Sequence, residues 1–168
     1  MATTYEPIAT TTLGSAATTI TFSSIPATYT DLRVVWVGKM DTTGSSLKGR
    51  FNSDTGSNYS YTYISGDGTS ASSNYNNNLT STDFGGMDVN IGSVQPAMVT
   101  IDIMSYAGST YKSYLATGSN DINGSGVTDR TVGLWRSTSA ITSITLMRGG
   151  ANNMSIGTTA TLYGIKNA

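Results

Sequence analysis

Apolar and polar residues along this chain change places at every second position. Ile20 and Phe22 alternate with Thr19 and Thr21, and Val99, Ile101 and Ile103 alternate with Thr100, Asp102 and Met104. Tyr111, Ser113 and Leu115 oppose Lys112 and Tyr114, and Ile144 and Leu146 alternate with Thr145 and Met147. The last such run is Thr161-Leu162-Tyr163-Gly164-Ile165. Successive side chains of a strand point to opposite faces, so a period of two predicts strands. Leu32, Val34 and Trp36 interleave with Arg33, Val35 and Val37, which predicts a strand buried on both faces. No helix of any length is predicted.

Turn chemistry punctuates these runs. Ser23-Ser24-Ile25-Pro26, Asp41-Thr42-Thr43-Gly44, Asp54-Thr55-Gly56-Ser57, Gly66-Asp67-Gly68, Gly118-Ser119-Asn120-Asp121, Asn123-Gly124, Gly149-Gly150 and Asn152-Asn153 fall between or beside them. Gly, Asn and Asp tolerate the positive φ that tight turns need. About eight to ten short strands at this spacing predict an all-β fold, an antiparallel β-sandwich of jelly-roll type. An immunoglobulin-like sandwich is the alternative, but its Cys…Trp…Cys pattern is missing. The 168 residues are expected to form a single β-sandwich domain, 1–168. Residues 69–82 are almost wholly small and polar and are expected to form a long exposed loop. Tyr75 among its asparagines suits a contact surface.

Composition narrows the chemistry. There is no cysteine, so no disulfide or thiolate site exists, and no histidine, which removes the usual general base and the commonest transition-metal ligand. Charged residues are 11% of the chain, against roughly 25% in an average protein. The net charge is −1, and no basic run marks a nucleic-acid track; Lys48 and Arg50 are the nearest approach to one. The start at Met1 has neither a basic segment nor an apolar core behind it, so no signal peptide is expected and Met1 is read as the true start. No apolar run approaches the roughly 18–20 residues of a membrane span.

Each candidate site meets a plainer reading. Serines abound, but no histidine can activate one, which leaves a Ser–Lys pairing with Lys39, Lys48, Lys112 or Lys166 as the formal alternative. Asp83 and Asp88, which flank Gly85-Gly86, and the strand residue Asp102 are the acids open to paired-carboxylate chemistry. Asp31, Asp41, Asp54, Asp67 and Asp121 read as turn residues. Asp121-Ile122-Asn123-Gly124 and Asn52-Ser53-Asp54-Thr55-Gly56 resemble fragments of calcium loops but lack the full spacing and the closing acid. Asn58, Asn78, Asn123 and Asn153 fit the glycosylation pattern that an Asn/Ser/Thr-rich chain produces by chance. Trp36 and Trp135 read as core or packing aromatics rather than sugar platforms. No catalytic, cofactor-binding or metal-binding residue is assigned, and no enzyme activity or cofactor is expected.

Three stretches carry a resemblance: Tyr5-Glu6-Pro7-Ile8-Ala9-Thr10-Thr11-Thr12-Leu13-Gly14-Ser15, then Arg50-Phe51-Asn52-Ser53-Asp54-Thr55-Gly56-Ser57-Asn58-Tyr59-Ser60, and at the end Gly133-Leu134-Trp135-Arg136, Ile141-Thr142-Ser143-Ile144-Thr145-Leu146 and Thr161-Leu162-Tyr163-Gly164-Ile165-Lys166. Together they resemble small virion structural proteins of tailed phages, many from cyanobacterial hosts. The resemblance implies a β-sandwich on the outside of the virion. It implies one of two roles, a capsid decoration or cement protein that locks neighbouring major capsid subunits, or a tail-fibre module that recognises a host surface glycan. The chain has no heptad run or fibrous repeat, which suits decoration better. The expected partners are phage structural proteins and further copies of the chain, as a dimer or trimer, with no nucleic acid and no membrane span.

Overall fold

A computed structural model of the chain describes residues 4–42, 46–85, 91, 93–121 and 123–166. Twelve strands run through them: β1 (Tyr5–Thr12), β2 (Thr19–Phe22), β3 (Asp31–Gly38), β4 (Leu47–Phe51), β5 (Tyr59–Gly66), β6 (Ala71–Leu79), β7 (Thr82–Asp83), β8 (Ala97–Ile103), β9 (Lys112–Asn120), β10 (Val127–Trp135), β11 (Ile144–Arg148) and β12 (Thr159–Ile165). There is no helix among the described residues. Eight strands form one sheet, in the order β1-β12-β3-β8-β9-β10-β5-β6, and four form a second, in the order β2-β11-β4-β7. Every ladder is antiparallel. The expectation of an all-β antiparallel two-sheet fold is met.

The pairing is nested. β1 pairs β12, β2 pairs β11, β3 pairs β8, and β4 pairs β7. Two hairpins, β5–β6 and β9–β10, interrupt this scheme, and both extend the large sheet beyond β8. The strand count therefore exceeds the expected eight to ten.

One apolar cluster lies between the sheets. The large sheet contributes Leu32, Val34 and Trp36, then Val99, Ile101, Ile103 and Leu162; the small sheet contributes Ile20, Phe22, Leu47, Phe51, Ile144 and Leu146. Removing each such side chain from water stabilises the fold by about 1.5–3 kcal/mol. Toward β5 the cluster turns aromatic. The Phe51 ring of the small sheet lies 5.6 Å from Trp135, 6.2 Å from Tyr114 and 6.3 Å from Tyr59, all of the large sheet. Two inner-face glycines make room for these rings. A side chain at Gly133 would collide with Tyr114, and one at Gly49 with Phe84.

Two sequence expectations need correction. β3 is buried on one face only: Leu32, Val34 and Trp36 are inside, while Val35 is half-buried and Val37 is exposed. No layer of the described residues covers the outer face of the large sheet, so its apolar residues stay in water. The alternation expected around Tyr111–Leu115 is present: in β9 Lys112, Tyr114 and Ala116 are inside and Ser113 is outside, next to the exposed Tyr111. Most of the stretch 69–82 is not a loop but β6 and the start of β7. β6 is held by its backbone ladder to β5, from Gly66↔Ala71 to Tyr59↔Leu79. An edge strand exposed on both faces needs no apolar alternation, and so shows none.

Candidate functional site

The aspartates read as turn formers are consumed by the fold. Asp67 Oδ1 accepts the backbone N–H groups of Thr69 and Ser70 at 2.8 and 2.7 Å, closing the β5–β6 hairpin. Those bonds hold its carboxyl well below the usual range. Asp121 accepts Gly124 N–H at 2.9 Å. Asp31 accepts Ser105 N–H at 2.7 Å, and Asp41 accepts Asn153 N–H at 2.8 Å, so these two tie distant segments together.

Asp54 accepts Gly56 N–H at 2.8 Å, Asn58 Nδ2 at 2.9 Å and Trp135 Nε1 at 2.7 Å. Burial pushes its pKa up, but the Trp135 and Asn58 bonds outweigh that and hold it low. Asn52, the other oxygen donor of that calcium-like segment, accepts Thr142 and Ser143 N–H and donates to Ala140 O. No group of three acidic side chains able to hold a metal occurs among the described residues. Ile122 of the second calcium-like segment lies outside them.

The three acids considered for catalysis do not meet as a site. Asp88 lies outside the described residues. Asp102 sits on the outer face of β8, directly opposite Arg33 of β3. The pair is bidentate, with Arg33 Nε donating to Oδ1 at 2.5 Å and Nη2 to Oδ2 at 2.9 Å. The Arg33 guanidinium also lies 5.5 Å from the centre of the Tyr5 ring. Asp83 sits on the small sheet and is buried. Its Oδ2 accepts Ser46 Oγ at 3.0 Å and its Oδ1 accepts Gly85 N–H at 3.3 Å. Burial raises its pKa to about 6, against the lowering pull of Ser46 and Lys48. Beside it the Tyr114 hydroxyl bonds Thr82 Oγ1 and donates to the Asp83 carbonyl at 3.1 Å.

The remaining candidates are also structural. Trp36 is fully buried in β3, and Trp135 is stacked on Tyr59 with ring centroids 6.4 Å apart. Neither offers an open ring to a sugar. Lys112 is buried on β9, where Nζ donates to the carbonyls of Gly108 at 2.6 Å and of Thr110. Burial pushes its pKa down. Lys166 pairs with Glu6 at 3.0 Å.

The surface left for a partner gathers around β6. Three shallow depressions border it. One, about 670 Å³, is lined by Ile64, Ser73, Thr117, Thr128 and Arg130. A second, about 330 Å³, lies between Thr62, Tyr75, Asn77, Val132 and Leu134. A third, about 340 Å³, lies on the inner side against Lys48, Tyr61, Asn76 and Thr82. Tyr75, singled out from the sequence, is 66% exposed, and Ile64 and Val132 stand near it at 61% and 53%. Sequence reasoning missed Ile64 and Val132. The signal available was their place on the second track of their strands, opposite Tyr63 and Thr131, which point inward.

No family model and no curated protein matches this chain. Among the described residues no helix is long and apolar enough to cross a membrane.

Proposed function

We propose that this chain is a non-enzymatic structural protein on the exterior of a tailed-phage particle, a capsid decoration protein that braces neighbouring capsid subunits. The observation that supports this reading is how the polar groups are distributed. Carboxylates, amides and the buried lysine are spent on turns, ladders and loop ties within the fold. What remains outside is the broad outer face of an eight-stranded sheet, carrying Val35, Val37, Met98, Thr100, Thr117, Val132 and Ile64. Of its charges, Arg33 and Asp102 cancel each other, and Arg130 is the further one. A rigid, nearly uncharged face loses little entropy on docking, which suits permanent contact in many copies. The nested pairing of β1–β4 with β7, β8, β11 and β12 supports a jelly roll enlarged by two hairpins.

The runner-up is a tail-fibre module that recognises a host glycan. A long exposed polar loop at 69–82 would favour it, and that stretch is mostly strand. Tyr75 is its best remaining residue. Gel densitometry of purified particles separates the two. Decoration requires a copy number comparable to that of the capsid protein, and a few copies per particle would sink it. The fibre reading requires that the purified chain adsorb to host cells and compete with infection.

A further inference from the structure

The large sheet has two edges, and they are guarded unequally. β1 carries Glu6 and Pro7, and its register to β12 slips between Pro7 and Ala9. Proline, charge and a bulge are the devices by which edge strands refuse new partners. The edges of the small sheet are short, four residues in β2 and two in β7. β6 has a register shift too, between its pairs with Tyr61 and Tyr59, where Asn78 takes a positive φ, but from Ala71 to Asn76 its pairing is unbroken. It is nine residues long, with no proline and no charge, and its neighbour β5 has none either. The nearest outer-face cation in register, Arg130, stands two strands back, opposite Ile64, which is opposite Ser73. Arg136 reaches only the far end of β6, where Nη2 donates to Asn78 Oδ1 at 2.8 Å, so copies pairing along Ala71–Asn76 bring no charged side chain of the edge strand face to face.

The backbone of β6 is ready to pair. In an antiparallel ladder every second residue of an edge strand turns its N–H and C=O away from its neighbour. The Tyr75 N–H is taken by the Asn74 side chain, Oδ1, at 2.7 Å, which marks Tyr75 as one of these outward residues. A carboxamide on a single rotatable side chain is readily displaced by a backbone carbonyl.

We infer that β6 is a homotypic docking edge, where two copies of this chain pair β6 to β6 antiparallel across a two-fold axis. The guarded β1 edge selects this arrangement. Pairing of β6 with β1 of another copy would be head-to-tail and would grow an open ribbon, and Pro7 and the bulge oppose it. Pairing of β6 with itself closes after two copies. It joins the two large sheets into one of sixteen strands and brings the exposed Tyr75 side chains of both copies onto a shared face. This inference holds wherever the protein resides, so its failure is separable from that of the phage assignment.

Sedimentation equilibrium of the full chain tests it, with amide hydrogen exchange as a second readout. The wild type is expected to be a dimer that dissociates on dilution, with the Tyr75 amide losing protection as it does. The S73K/Y75K variant places charge on two exposed side chains of the edge; it is expected to be monomeric with an unchanged far-UV spectrum. A wild type that stays monomeric at the highest concentration reached overturns the inference. So does a dimer that the double variant leaves intact, a trimer, or exchange at Tyr75 that ignores concentration.

Discussion

β1 and β6 close the same eight-stranded sheet from opposite sides, and the ground beneath them differs. Around β12, β3 and β8 the inner face is mainly aliphatic, with Leu162, Ala160, Leu32, Val34, Val99 and Ile101 beside the single ring of Trp36, pressed against the small sheet. Across β9, β10 and β5 it becomes aromatic and hydroxylic, with Tyr114, Trp135, Tyr59, Tyr61 and Tyr63. At β6 it is amide and hydroxyl: Asn76 Nδ2 donates to the Tyr61 hydroxyl at 3.1 Å, and Ser72 and Ser65 share a bond of 2.8 Å. A four-stranded lid cannot cover eight strands. The sheet outgrows it by replacing side chains that must be dry with rings that have a polar end, and then with side chains content in water. The guarded edge stands at the dry end and the open edge at the wet one.

The aromatic middle should carry the largest energetic weight in the extension. Trp135→Ala removes a ring packed on Phe51 and Tyr59 and leaves Asp54 short of one donor. A loss of about 3–5 kcal/mol is expected, read from urea unfolding. A loss below about 1 kcal/mol would mean that the extension adds little to stability, since ordinary surface substitutions stay near that scale.

Asp83 joins the lid to the extension through Thr82 and Tyr114, and its effect depends on pH. Its folded pKa, about 6, exceeds its ordinary value of 3.8. The folded state therefore binds the proton more tightly, so this group's contribution is fully present below about pH 4 and is lost as pH rises toward and through about 6. Two pH units correspond to roughly 3 kcal/mol at most. Asp83→Asn should remove that slope. The stability of the wild type relative to the variant should fall between about pH 4 and about pH 6.5, and two parallel pH profiles would contradict it.

Tyr61→Phe probes the edge itself. It removes the hydroxyl that accepts Asn76 and is expected to cost about 1 kcal/mol. Amide exchange should quicken in β6 and stay unchanged in β1. Equal quickening at both edges would mean that the sheet opens as one unit.

The same gradient explains what was legible in the sequence. β2, β3, β8 and β11 lie over or within the aliphatic core, and alternation marked each of them. β10 turns Asp129, Thr131 and Gly133 inward, so its inner track carries no apolar signal until Trp135. β6 turns neither face to the core, and its Ser and Asn residues read as a loop. The turn aspartates were legible because their chemistry is local or backbone-directed. The surface around β6 was not, except at Tyr75, because it is assembled from strands distant in the chain: Val132 and Tyr75 become neighbours only through Thr62 between them.

The smallest stability effect belongs to the guarded edge, and it is the most telling. Pro7→Thr restores a backbone donor and a good strand residue at an exposed position of β1. Glu6 keeps its bonds to Lys166 and to the Tyr29 hydroxyl, at 3.0 and 3.1 Å, so the unfolding free energy should move by no more than about 0.5 kcal/mol. Association should change out of proportion to that. With β1 opened, β1-to-β6 pairing becomes available and has no closing symmetry, so species larger than a dimer should appear in sedimentation velocity and grow with concentration. Adding S73K/Y75K to this variant should abolish them, because head-to-tail growth needs β6 as well. If Pro7→Thr leaves the size distribution unchanged, the bulge and Glu6 guard that edge without the proline, and the contrast between the two edges rests on charge and on the unbroken Ala71–Asn76 register of β6 rather than on a missing N–H.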